Sequence, residues 1–301
     1  MISNLNASNS DFLAQLNAIK GRMDRAQKQL STGLRIIDAA DSPDQISELL
    51  SARASLATTQ TTNQNLTRVK TEVDSAETAL QAASKAIEQA RVLGTQGANT
   101  SQSAETRKTL GDQVGSILEQ LVGISRTTVE GRYVFSGDSD QTPPYAVDLT
   151  QSNPVSGYLG ATVTRQVQHP NGTTFTVDGT AQKIFDAPAT SDNVFSSLVA
   201  LRSALLSNDS PGISSALNTL GTSATYFERQ LSAYGVAQNK ISDASSYGSS
   251  LELNLQTQIG DIQNADLTQS ILELGQAQTA QKAALQAKAS VQPTSLFDFL
   301  R

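Results

Sequence analysis

The residues of this chain that could do chemistry are few and scattered. His169 is the single histidine and cysteine is absent. One imidazole without thiolates or a second ligand cluster makes neither a zinc site nor a hydrolytic triad, because each needs several groups converging on one point. Beside Pro170, Asn171 and Gly172, that histidine reads as a surface-loop residue. The carboxylate pairs Asp41/Asp44 and Asp138/Asp140 fall among turn residues, where Asx side chains bond their own backbone and calcium is the weaker explanation. Gly94, Gly97, Gly131 and Gly137 lack the preceding strand, the following helix and the Lys of a phosphate loop. No catalytic, cofactor-binding or metal-ligating set emerges. The chain is expected to be a non-enzyme with no cofactor.

What recurs is apolar spacing, and its chemistry is association. Leu16, Ile19, Met23, Ala26 and Leu30 follow a 3-4 rhythm that puts them on one stripe of a helix. Near the other end Leu255, Ile259 and Ile262, then after a step of five Leu267, Ile271 and Leu274, continue it, and the chain closes on Leu296, Phe297, Asp298, Phe299, Leu300 and Arg301. Phe297 and Phe299 have no local core, so they are expected to anchor in a partner's groove. These stripes are half Ala or polar, too weak to hold an isolated pair. They are read as subunit-assembly surfaces.

Composition limits what can carry them. Aromatic residues make up 5% of the chain and Trp is absent, so a thick globular core is out of reach and thin helix-on-helix seams are favoured. The net charge is −6 and no basic run is interleaved with aromatics, which argues against nucleic acid. No apolar stretch approaches the roughly 18 residues of a membrane span, so no membrane insertion is expected. The start Met1-Ile2-Ser3-Asn4-Leu5-Asn6 lacks the features of a cleavable signal peptide.

The elements follow from the same pattern. A first helix over about 10–30 stops at Ser31-Thr32-Gly33, with Leu34-Arg35-Ile36-Ile37 as an extended connector. Ser42 as N-cap, Pro43 at the first position and Asp44 in the first turn start a helix to about Leu93. At 1.5 Å per residue its roughly fifty residues span about 75 Å, so its stripe Leu66, Val69, Val73, Ala76, Leu80, Ala83, Ile87 and Ala90 needs a returning chain or another molecule. Gly94 to Asn99 breaks the pattern. A helix after Ser103 carries Leu110, Val114, Ile117, Leu121, Ile124 and Thr128. The period then drops to about two: strands are expected at 132–135, 161–167 and 173–177, separated by Gly and Pro turns. Helix resumes at Ser191-Asp192, and again at Ser210-Pro211 with Ile213, Leu217, Leu220, Phe227, Leu231, Tyr234 and Ile241.

The expected fold is mainly α with a β insertion: an elongated long-helix bundle or coiled coil formed by the N- and C-terminal regions. The expected domains are a terminal coiled-coil assembly domain (1–42 plus 255–301), a helical rod domain (43–135 plus 190–254) and a small β-rich inserted outer domain (136–189).

Motifs at both ends resemble the bacterial flagellin superfamily, and more closely its hook-associated protein 3 branch, the hook–filament junction proteins. Leu30-Ser31-Thr32-Gly33-Leu34-Arg35-Ile36 is similar to that family's L-S-x-G-x-R-I element, and Asp41-Ser42-Pro43-Asp44 to the turn that follows it. Arg91-Val92-Leu93-Gly94-Thr95-Gln96-Gly97-Ala98-Asn99 resembles the R-x-L-x-x-Q-x-A-N corner. Gly131-Arg132-Tyr133-Val134-Phe135-Ser136-Gly137, then Thr142-Pro143-Pro144-Tyr145, favours the junction branch over flagellin, as does Ser295-Leu296-Phe297-Asp298-Phe299-Leu300. The resemblance covers roughly 1–145 and 190–301. It implies a structural role as adaptor between hook and filament, with a motif turn at Gly33, Arg35, Asp41 and Pro43 and a rod–insertion junction at Gly131, Arg132, Tyr133, Phe135 and Gly137. It implies identical subunits in a ring, contacts with hook-associated protein 1 and flagellin, and an export chaperone on the C-terminal helix. It further implies an extracellular place at the hook–filament junction, reached by flagellar type III export without cleavage. The alternatives are flagellin itself, a filament subunit, and, from another class, a coiled-coil adhesin or binding module.

Overall fold

The computed structural model describes residues 2–163, 166–177 and 179–290, with side chains from Ser10 onward. Helices dominate: α1 (Ile2–Thr32), α2 (Ile46–Ala98), α3 (Ala104–Ser125), α4 (Ala181–Phe185), α5 (Val194–Leu206), α6 (Ser210–Gln263) and α7 (Leu267–Ser290). Among the described residues, a 3-10 turn (Thr190–Asp192) and two antiparallel hairpins complete the regular structure, β1–β2 (Thr128–Val129 with Arg132–Tyr133) and β3–β4 (Gln166–Gln168 with Thr174–Thr176). The chain forms two compact units, one of residues up to Thr58 with those from Glu252 on, the other of Thr59–Leu251.

The Thr59–Leu251 unit holds a continuous core. The expected α2 stripe from Leu66 to Ala90 is buried, as are Leu110, Val114, Ile117 and Leu121 of α3 and Ile213, Leu220, Phe227, Tyr234 and Ile241 of α6. α3 packs against α5. Where the helices leave space, aromatic rings from the segment after Gly131 enter: Phe135 meets Phe185 and Tyr234 edge-on, and Tyr145 meets Phe195 at 5.1 Å between centroids. Seven aromatic side chains, Phe135, Tyr145, Tyr158, Phe185, Phe195, Phe227 and Tyr234, thus interlock at one place. Burial there raises the phenol pKa of Tyr145, with the adjacent Asp186 carboxylate adding to the effect, and pushes that of Tyr158 up to about 12.

Several expected boundaries are corrected by packing. α2 does not stop at Leu93 but runs through Gly94 and Gly97 to Ala98. These glycines permit close approach: a Cβ on Gly94 would meet Leu217 and Leu201, and one on Gly97 would strike Leu205. Thr128 lies in β1 rather than on α3, which ends at Ser125. α2 begins at Ile46, and the Ser42 hydroxyl donates to Asp44 Oδ1 at 2.9 Å, while its carbonyl accepts the Ile46 N–H at 3.1 Å. The side-chain acceptor opening α6 is Asp209, which takes the Gly212 N–H at 3.1 Å, and not Ser210. Asn193 caps α5 in place of the Ser191-Asp192 start.

The expected strands shrink as well. Of the segment 161–167, Gln166 and Val167 lie in β3, while Ala161 and Val163 turn their carbonyls toward Gly137. Segment 136–189 therefore holds a single hairpin of three-residue strands and the short α4 among its described residues, joined by turns. His169 is half-buried, its ring 5.3 Å from that of Tyr247 on α6, so it is not a free loop residue.

Candidate assembly interface

The terminal unit is built on α1 against α7. Ser270 Oγ lies 3.2 Å from Gln29 Oε1, and Lys288 Nζ sits 5.3 Å from the centre of the Phe12 ring, so the two helices run antiparallel. The N-terminal stripe faces inward: Ile19 and Ala26 are buried, and Leu16, Met23 and Leu30 are half-buried. On α6, Leu255, Ile259 and Ile262 are half-buried too.

α7 is arranged differently. The residues it buries are Ser270 and Ala277. Its large apolar side chains point away from cover: Leu267 is 49% exposed, Ile271 62%, Leu272 54% and Leu285 49%. Leu274 is half-buried. Leu13 of α1, Ile37, Leu50 and Leu253 are also exposed in this unit. Of these, Leu13, Ile37, Leu50, Leu253, Leu272 and Leu285 lie outside the 3-4 stripes, which is why periodicity misses them: a periodic stripe finds the seam between two helices, not a second face beyond it. Leu296, Phe297, Phe299 and Leu300 lie outside the described residues.

The motif turn is a clasp between two helix breaks. α1 ends at Gly33, which adopts φ 72° and donates to the Gln29 carbonyl at 2.8 Å, a left-handed stop that glycine takes without strain. Opposite it, the chain breaks between α6 and α7. Leu34 pairs with Asn264 as an antiparallel bridge, Arg35 N–H donates to the Gln263 carbonyl at 2.6 Å, and Ala265 N–H donates to the Gly33 carbonyl at 2.9 Å. The Arg35 guanidinium donates to Gln45 Oε1 at 2.6 Å and to the Ile262 carbonyl. Ile36, 2% exposed, seals the turn.

Asp41 serves the connector alone. Its Oδ2 accepts the Asp38 N–H at 2.9 Å and the Ile37 N–H at 3.0 Å, and these bonds hold its carboxyl below the usual range, helped by Arg25 and Lys28. Pro43 is exposed at the turn into α2.

The second group of family-motif residues lies in the other unit. Glu130 (φ 51°) and Gly131 (φ 76°) make the two-residue turn of β1–β2, the left-handed pair that matches strand twist. Arg132 reaches Glu72 of α2 at 3.4 Å, Glu130 at 3.7 Å and Asp140 at 3.8 Å. Tyr133 N–H donates to the Asp140 carbonyl at 2.7 Å. Phe135 is fully buried, and Gly137 (φ 61°) sits where any Cβ would run into the carbonyl oxygens of Ala161 and Val163. Among the described residues, no three His, Asp or Glu converge to hold a metal ion, and no helix is long and apolar enough to cross a membrane.

These features have counterparts in known proteins. Residues 2–140 match the family described as the bacterial flagellin N-terminal helical region. Flagellar hook-associated protein 3 of Escherichia coli (strain K12) is 25% identical over 303 residues, covering 90% of each chain. A flagellar hook-associated protein from Vibrio parahaemolyticus shares the fold with a TM-score of 0.63 at 22% identity, over 74% of this chain and 100% of that one. Flagellar hook-associated protein 3 from Legionella pneumophila does so with a TM-score of 0.60 at 14% identity, over 72% and 99%. The N-terminal region is thus similar to that of the bacterial flagellins, and the chain is similar, over nine-tenths of its length, to a flagellar hook-associated protein 3.

Proposed function

We propose that this chain is a structural component of the bacterial flagellum, a non-enzymatic adaptor that joins hook to filament by self-assembly through its terminal helices. The observation that carries this reading is the outward apolar face of α7, where Leu267, Ile271, Leu272 and Leu285 stay exposed while Ser270 and Ala277 are buried. A helix that turns its largest apolar groups outward is half of an interface. Each Leu or Ile covered on assembly contributes roughly 1.5–3 kcal/mol, offset by the side-chain entropy lost on burial, so several anchors per subunit are needed. Leu296, Phe297, Phe299 and Leu300 extend that set in sequence.

The partners in this reading are identical subunits in a ring, with hook-associated protein 1 and flagellin as axial neighbours. An export chaperone covers the C-terminal helix beforehand. The place of work is extracellular, at the hook–filament junction, reached without a cleaved signal. Residues 1–42 with 255–301 form the assembly domain, 43–135 with 190–254 the rod, and 136–189 the outer insertion. The clasp at Gly33, Arg35, Asp41 and Pro43 fixes the terminal helices to each other, and Gly131–Gly137 joins insertion to rod.

The test is complementation of a strain lacking this protein. A chain without residues 290–301, or with Ile271→Asp and Leu272→Asp together, is expected to fold with unchanged helical content yet leave hooks bare and flagellin monomers in the medium. Normal filaments from either variant would end the terminal-anchor reading.

A further inference from the structure

The β3–β4 turn carries the chain's single Asn-Gly pair, Asn171-Gly172. Both residues are exposed, and Gly172 takes φ 91°. The Asn171 side chain reaches forward to Thr173. Its Oδ1 accepts two hydrogen bonds from Thr173, from the backbone N–H at 3.0 Å and from the hydroxyl at 2.7 Å. The turn itself is held by the Gly172 N–H donating to the His169 carbonyl at 2.9 Å.

Two donors on one amide oxygen do more than close a turn. They lie where negative charge develops if a nucleophile adds to Asn171 Cγ, which is how an oxyanion hole lowers a barrier. The neighbouring nucleophile is the Gly172 nitrogen, which no Cβ shields. We propose that Asn171-Gly172 is a self-modification site, at which Thr173 promotes closure of the asparagine side chain onto the Gly172 nitrogen to give isoaspartate and aspartate.

The steps balance with water and hydroxide as the co-reactants. When the Gly172 N–H leaves the His169 carbonyl, hydroxide removes the amide proton, and the nitrogen bonds to Asn171 Cγ, sending an electron pair onto Oδ1 between the two Thr173 donors. Collapse of that intermediate breaks the Cγ–Nδ2 bond. The leaving nitrogen takes a proton from water and departs as ammonia, leaving a five-membered imide. Water then opens the ring at either carbonyl. Cleavage on the side-chain side returns aspartate; cleavage on the main-chain side gives isoaspartate, which lengthens the backbone by a methylene. Either product places a carboxylate at the hairpin tip, beside the His169 ring that packs on Tyr247.

The experiment ages the full chain at mildly alkaline pH and follows Asn171 by peptide mass mapping and isoaspartyl methyltransferase labelling. Wild type, Thr173→Val and Thr173→Ser are compared in native buffer and in urea. In native buffer wild type and Thr173→Ser are expected to convert at similar rates, and Thr173→Val roughly tenfold more slowly, a smaller loss than an enzyme suffers on losing one oxyanion donor. In urea the turn is gone and all three should convert alike. The proposal is overturned if Asn171 converts no faster than the chain's other asparagines. It is equally overturned if native Thr173→Val matches wild type, or if its deficit persists in urea.

Discussion

Arg35 and Asp41 stand six residues apart in one turn, yet they bond different partners. Arg35 spends its guanidinium on a carbonyl of the opposite chain segment, and Asp41 spends its carboxylate on the backbone of its own. Because the Asp41 pKa is depressed on folding, its contribution is present above its ordinary value of 3.8 and is lost as pH falls through the lower folded value. Amide protection of Ile37 and Asp38 should therefore drop in that acid range, measured by hydrogen exchange. Asp41→Asn, which keeps an acceptor oxygen and loses the charge, should show no such step. The residue types of this clasp were legible in sequence, since Gly33, Arg35, Asp41 and Pro43 stand in a recognisable order. Their partners were not. Arg35 bonds a carbonyl more than two hundred residues away, and a backbone acceptor carries no side-chain signature to read.

Helices were the most legible part because their 3-4 stripes are long and cost nothing to interpret. The stripe from Leu66 to Ala90 is buried as its spacing predicts. Glycine was misread, because sequence cannot tell a helix stop from a helix contact. Gly33 is a stop with positive φ; Gly97 is a contact against Leu205 inside α2. This yields an opposed pair of substitutions. Gly97→Ala gains helix propensity, but its Cβ must displace a packed leucine, so it should destabilise by about 1–3 kcal/mol. Gly123→Ala, in α3 with nothing near the new Cβ, should stabilise by roughly 0.5–1 kcal/mol. Urea denaturation of both variants decides it; the same sign for the two would contradict the packing account. The outer face of α7 was half legible: Leu267 and Ile271 belong to a stripe, Leu272 and Leu285 do not, and only the structure separates an inner seam of Ser270 and Ala277 from an apolar exterior.

The two units differ in how complete they are. The Thr59–Leu251 unit closes its own core with interlocked aromatic rings, whereas the terminal unit keeps several large apolar residues uncovered. Local stability follows local burial, so free chain should exchange amides in α1 and α7 much faster than in α3 and α5. Uniform protection across the four helices would argue that the termini are self-sufficient, as an adhesin-like module requires. Assembly should then slow exchange in α7 selectively.

The clasp between Gly33–Ile36 and Ile262–Ala265 also restricts which lengths the chain can take. It pins α1 and α7 at one level, and beyond that level their side chains are matched position by position, Gln29 with Ser270 and Phe12 with Lys288. Dropping one helical turn from α1 alone would slide Phe12 and Leu16 out of register with everything they meet on α7, while the same deletion made in both helices would restore the match. The stretch between Gly137 and Thr180 is pinned at separate points instead, Tyr145 on Phe195, His169 on Tyr247 and β3 on β4, with turns between them. Length is therefore a coupled variable in the terminal helices, whereas in the insertion it is free only in the turns between those points.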